Sequence, residues 1–164
     1  MKRMLCAIAL FMAASILSAQ PAGGNGKILF VYDEINKESE PYLGYFRTGF
    51  KEAGIPFDEA AAADLDSKDL SKYRTIVVYG MVMAFNFKSP VRDWLKTEPD
   101  LRGMKVSIFV TANRWFLKNL YGQLTGLAGK NEAEVTDAVS MATKELEGGQ
   151  EEAAVRALIA KLEF

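Results

Sequence analysis

Three apolar runs set the limits on what this chain can fold into. KILFVYD (Lys27 to Asp33), RTIVVYG (Arg74 to Gly80) and KVSIFVT (Lys105 to Thr111) are nearly continuous in apolar residues and rich in β-branched and aromatic side chains. A strand with one wet face alternates apolar and polar residues, so these runs predict strands buried on both faces of a sheet. Between them lie segments with helical spacing. In the first, Leu43, Phe46, Phe50 and Ala53 form an inward stripe, with Ser39 as N-cap, Pro41 in the first turn and Gly54 as the stop. SPVRDWLK repeats the logic, with Ser89 as N-cap, Pro90 at the first helical position, and Val91, Trp94 and Leu95 facing in. NRWFLKNLYGQLTGLAG predicts a longer helix that stops near Gly129. Strands alternating with helices build βαβ units and hence a parallel α/β sheet.

The remaining segments carry weaker signals. IPFDEA reads as a second, less apolar strand, and DLDSKDLSKY as a loop with one helical turn at most. Ala133 to Leu146 stays open between a fifth strand and part of another helix. After Gly148 and Gly149 a final amphipathic helix turns Val155, Leu158, Ile159 and Leu162 inward. Ligands of such sheets sit beyond the carboxyl ends of the strands. Three loops therefore matter: Asp33 to Ser39, Met81 to Lys88, and Ala112 to Trp115.

The first residues follow a different rule. MKRMLCAIALFMAASILSAQ places Lys2 and Arg3 before an apolar run from Met4 to Leu17, then small residues up to Ala19. That is the layout of a secretory signal cleaved after Ala19, and the run is shorter than the ~20 apolar residues a membrane helix needs. The expected organisation is a signal peptide at 1–19, a linker at 20–26 and one domain at 27–164, exported to the periplasm or secreted, with no stable membrane span after cleavage. Cleavage would leave 18 basic residues against 21 acidic, a net charge of −3, which gives no electrostatic case for nucleic acid. Cys6 is the only cysteine and the chain has no histidine. The mature chain thus lacks disulfides, Cys/His zinc sites and histidine-based nucleophile systems, and no metal site is expected.

The order and spacing of KILFVY, DLSKYRTIVVYG, SPVRDWL and LRGMKVSIFVTAN resemble the flavodoxin-like family over roughly Lys27 to Phe164. The resemblance implies a three-layer α/β/α sandwich around a five-stranded parallel sheet of order 2-1-3-4-5. It also implies FMN as cofactor, electron transfer as function and a redox partner protein. Flavodoxins hold the FMN phosphate in a Ser/Thr–x–Thr–Gly–x–Thr type loop at a helix N-terminus. Laid on that pattern, Asn36, Lys37 and Ser39 fall near the phosphate, but the glycine is missing, and Asp33, Glu34 and Glu38 oppose an anion. Phe85, Asn86, Asn113 and Trp115 fall at the isoalloxazine ring, where aromatic side chains stack. The plainer reading has Phe87 and Trp115 packing helices onto the sheet.

DAVSMAT (Asp137 to Thr143) resembles the Asp–x–x–Ser/Thr–Gly–Ala–Thr sequence at which a flavin transferase attaches FMN to threonine, with Met141 in place of the glycine. That resemblance implies a phosphoester on Thr143, which would dispense with a phosphate cradle. Two function classes follow: an FMN-binding electron-transfer protein, with or without the covalent link, and a binding or assembly module that keeps the fold without flavin. Whether the protein is an enzyme is left open. Flavin chemistry needs neither histidine nor cysteine, and no spacing of carboxylates points to hydrolysis.

Overall fold

A computed structural model describes residues 26–82, 88–142 and 149–163. The elements run β1 (Ile28–Tyr32), α1 (Glu40–Glu52), β2 (Phe57–Ala61), two 3-10 turns (Ala62–Ser67 and Leu70–Lys72), β3 (Thr75–Val82), α2 (Pro90–Lys96), β4 (Lys105–Ala112), α3 (Arg114–Lys130), β5 (Glu134–Ala142) and α4 (Gln150–Ile159). All neighbouring strands are parallel and the sheet order is β2-β1-β3-β4-β5. The three apolar runs form the central strands β1, β3 and β4, as their composition predicts.

Each face of the sheet carries its own core. On one, Phe30, Val77, Tyr79 and Phe109 meet Leu43, Phe46 and Phe50 of α1 and Val155, Leu158 and Ile159 of α4. Phe46 stands at its centre, with ring centroids 4.7 Å from Phe30 and 5.4 Å from Phe109. On the other face Leu29, Val31, Ile76, Val78 and Ile108 meet Val91, Trp94 and Leu95 of α2 and Leu120 and Leu124 of α3. Two glycines set the closest approaches. A Cβ at Gly49 would stand 2.5 Å from Ile159 Cδ1, and one at Gly80 would stand 2.7 Å from Leu124 Cδ1, so helices pack directly against these backbones.

The structure corrects two local readings and resolves a third. Ser39 precedes α1 in helical conformation and makes no side-chain cap bond, because its hydroxyl is engaged inside the preceding loop. Ala53 lies outside the inward stripe, exposed at the end of α1. Of the segment left open, Glu134–Ala142 is strand β5, half-exposed at the sheet edge, and residues 143–146 lie outside the described residues. Its pairing with β4 skips one residue, Val106 facing Val135 and Ser107 facing Asp137, which leaves Thr136 as a bulge with its hydroxyl 2.9 Å from Ser107 Oγ. Among the described residues no helix is long and apolar enough to cross a membrane.

Candidate functional site at the carboxyl end of the sheet

The β1–α1 loop leaves the sheet at Asp33 and closes on itself before α1 begins. Asn36 Oδ1 accepts from the backbone N–H groups of Glu38 (3.0 Å) and Ser39 (2.9 Å). The Asn36 N–H donates to Ser39 Oγ at 2.9 Å, and that hydroxyl donates to the Glu34 carbonyl at 2.7 Å. This is an Asx turn stacked on a serine turn, so the side chains of one short segment take up the donors at its helix start. Ser39 is 1% exposed. Glu34, Ile35, Lys37 and Glu38 stand outside, exposed.

FMN does not fit this loop in the flavodoxin manner. A phosphate needs amide donors aimed at it and a low local negative charge. Here a carboxamide oxygen already occupies the Glu38 and Ser39 amides, and the Ser39 hydroxyl is buried and spent. Two carboxylates, Glu34 and Glu38, flank the remaining surface against one ammonium, Lys37. Of the three residues that the resemblance places at the phosphate, only Lys37 is exposed and outside this internal hydrogen bonding.

Asp33, grouped by sequence with the repelling acids, has a different place. It is 4% exposed and turned inward. Its Oδ2 accepts from Met81 N–H at 2.7 Å, and its Oδ1 accepts from Val91 N–H at 2.7 Å and Ser89 Oγ at 2.9 Å. Its own N–H donates to the Tyr79 carbonyl at 3.2 Å. The carboxylate thereby ties the ends of β1 and β3 to the start of α2. Burial pushes its pKa up to about 6, against the pull of the Val91, Met81 and Ser89 hydrogen bonds.

The ring side is described in part. Asn113 is half-buried before α3, and its carbonyl accepts from the N–H groups of Phe116 and Leu117. Trp115 is 84% exposed, so the reading in which it packs a helix onto the sheet is overturned. With Ile35 it is one of two large apolar side chains exposed among the described residues. Phe85, Asn86, Phe87 and Thr143 lie outside the described residues. Ala142, the last residue of β5, pairs with Ala112, which immediately precedes Asn113. Ala142, the sixth residue of DAVSMAT, thus stands beside the strand end that leads into α3.

A cavity of about 570 Å³ opens at the other end of the sheet, at the amino ends of β3 and β4, between Leu70, Tyr73, Arg74, Pro99 and Met104. The carboxyl end holds a recess of about 160 Å³ between α2 and α3, lined by Val82, Arg92, Phe116 and Gln123. That is below the roughly 300 Å³ at which small-molecule sites begin. No group of three or more acidic, cysteine or histidine side chains suited to a metal ion occurs among the described residues.

No protein-family model and no curated protein sequence matches the chain. Solved structures do. The flavodoxin of Streptococcus pneumonia TIGR4 superposes with a TM-score of 0.66 at 10% identity, over 83% of this chain and 97% of that one. Flavodoxin 2 from Bacillus cereus gives 0.64 at 15% identity, over 82% and 97%. The FMN-bound flavodoxin of Fusobacterium nucleatum gives 0.62 at 9% identity, over 82% and 95%. Identities this low carry the architecture and not the ligand. With its five parallel strands in the order 2-1-3-4-5 and helices on both faces, this chain has the flavodoxin fold.

Proposed function

We propose that this protein is an exported flavodoxin-fold binding module that meets a protein partner at the carboxyl end of its sheet and does not hold FMN in its β1–α1 loop. The observation that carries the reading is the Asn36 carboxamide on the Glu38 and Ser39 amides, where a phosphate would need them. Exposed apolar surface at the same end supports docking. Ile35 follows β1 and Trp115 follows β4, strand ends separated by two strand spacings or roughly 10 Å. Glu34, Lys37 and Glu38 supply a polar rim.

Fluorescence tests this directly, because Trp94 is buried and Trp115 is exposed. Protein purified from an exporting host should be colourless, and micromolar FMN should leave the Trp115 emission unchanged. A yellow protein that loses its flavin on denaturing filtration, or stoichiometric quenching by FMN, overturns the reading. The same preparation tests export, since a mature chain should begin at Gln20 by mass.

One observation favours a second reading, an FMN-carrying electron-transfer protein. β5 carries Asp137 to Ala142 of DAVSMAT, and its last residue pairs with Ala112, two positions before the start of α3. A phosphoester on Thr143 would anchor flavin there without the closed loop, leaving Trp115 to stack on the ring. Colour retained by the denatured chain, and lost in Thr143→Ala, would establish this reading in place of the first.

A further inference from the structure

The cavity at the amino ends of β3 and β4, about 570 Å³, has the size of a small-molecule site. Two turns build its walls. One is the 3-10 turn Leu70–Lys72 before β3, and the other runs from Pro99 to Met104 into β4. Both are tied down. The buried Tyr73 donates its hydroxyl to Asp58 at 2.8 Å, and the Lys105 N–H donates to the Arg74 carbonyl at 2.8 Å. In the second turn Leu101 is fully buried. Its N–H donates to the Asn131 carbonyl at 3.3 Å, and its carbonyl accepts from the Met104 N–H at 3.0 Å. Walls fixed in this way need little ordering to take a ligand.

The chemistry of the cavity is one-sided. Leu70, Tyr73, Pro99 and Met104 supply apolar wall. Asp100 is spent, because its two oxygens accept from Arg102 Nε at 2.9 Å and Nη2 at 2.8 Å. The Ser71 hydroxyl is spent on Asp69 at 2.6 Å. Arg74 is exposed among the lining residues, and its guanidinium has no ion pair or hydrogen bond among the described residues. An adjoining recess of about 300 Å³ shares Pro99, Asp100 and Arg102 with the cavity and has the opposite balance. There Lys130 pairs with Glu98, and Glu132 lies 3.9 Å from the Arg102 that Asp100 already holds. The buried side-chain oxygen of Asn131 accepts no hydrogen bond there. A guanidinium is thus left over on the cavity side, and acceptors are left over on the recess side.

We propose that this cavity binds a small molecule with an apolar body and one carboxylate, the body between Leu70, Tyr73, Pro99 and Met104 and the carboxylate on Arg74. Charge decides the class. A cation meets no free carboxylate in the cavity, since Arg102 occupies both oxygens of Asp100. A neutral apolar molecule gains nothing from the guanidinium. A carboxylate matches its planar fork of donors, and the surplus of acceptors in the recess turns the anionic end toward Arg74. The site stands at the opposite end of the sheet from the Asn36 loop and Trp115, so it goes beyond the docking reading and does not depend on it.

Titration of the intact, nitrogen-15-labelled mature protein with 1-naphthylacetate puts the proposal to the test. The amide resonances of Ser71, Arg74, Gly103 and Met104 should shift together and saturate, with a Kd of about 1 mM or tighter for a probe of this size. The uncharged 1-naphthylacetamide, similar in shape, should bind about tenfold more weakly, as expected for loss of a charge-assisted pair. Arg74→Gln should weaken the acid by a similar factor and leave the amide unchanged, with the emission of the buried Trp94 reporting an intact fold. The comparison of acid with amide uses the wild-type chain alone and decides the matter even if the variant does not fold. Shifts scattered over the surface, no saturation, equal affinity for acid and amide, or full affinity in a folded Arg74→Gln each overturn the proposal. None of these outcomes touches the docking reading, which falls instead if FMN binds at the β1–α1 loop.

Discussion

Two helices start at the same end of this sheet and meet it in opposite ways. The approach to α1 is filled from within: Asn36 takes the two amides just before the helix, Ser39 is buried, and Glu40 adds an acid in the first turn. The start of α3 is bare by comparison. Asn113 makes no side-chain cap bond, the first turn has no acid, and Trp115 stands in solvent. The comparison teaches that the chain has spent its acceptors where a flavodoxin presents donors to phosphate. Its exposed indole, Trp115, stands two strands away. An anion meets saturated amides on the β1 side, whereas an apolar or aromatic group meets an indole on the β4 side.

That contrast can be broken in the helix bodies first. Phe46→Ala in α1 should cost about 3–5 kcal/mol and Leu124→Ala in α3 about 2–5 kcal/mol by chemical denaturation, since both side chains are fully buried. Similar losses would confine the difference to the helix starts; a much smaller loss at Leu124 would mean that α3 as a whole is loosely held. Next in size is pH. Asp33 rises from 3.8 to about 6 on folding, so the folded chain binds the extra proton. Its contribution to stability is greatest below pH 4 and declines as pH rises toward 6, by about 3 kcal/mol at most. The difference in unfolding free energy between wild type and Asp33→Asn, followed from pH 4 to 7, isolates this slope from the other carboxylates.

Asn36→Ala should cost about 1 kcal/mol, the usual effect of removing a side-chain acceptor from a helix start. The same substitution, combined with Glu34→Gln and Glu38→Gln, should raise the affinity of the loop for inorganic phosphate, measured by phosphorus NMR line broadening. No gain would show that closure by Asn36 is not what excludes an anion. Trp115→Ala should lie within about 0.5 kcal/mol of wild type, as for an exposed side chain. A loss beyond 2 kcal/mol would place the indole in the core and remove the contrast.

The central strands were legible because burial on both faces leaves an unbroken apolar run, which local sequence records in full. β5 was not, because an edge strand that is half wet and interrupted by the Thr136 bulge shows neither a period of two nor a helical period. Ser89 as cap and Pro90 as first helical residue were read correctly from adjacent positions. The roles of Asp33 and Asn36 were missed for different reasons. Asp33 is defined by donors far away in the chain, which no local pattern encodes. Asn36 did leave a signal, an asparagine in the loop before a helix, where its side chain can bond the backbone two residues on, here the Glu38 N–H. The exposure of Trp115 depends on what α3 packs against and has no signature in a helix whose neighbouring positions are equally apolar.

The packing of α4 on α1 bears on the order in which the molecule can be made. Gly49 is narrow because Ile159 fills the space beside it, Tyr42 donates to Glu151, Arg156 pairs with Glu52, and Thr75 donates to the carbonyl of Glu163. Each of these contacts joins residues 88 or more positions apart. Until α4 has been synthesised, the face holding Phe46 has an open side, so the two faces of the sheet are completed by segments of very different age in the growing chain.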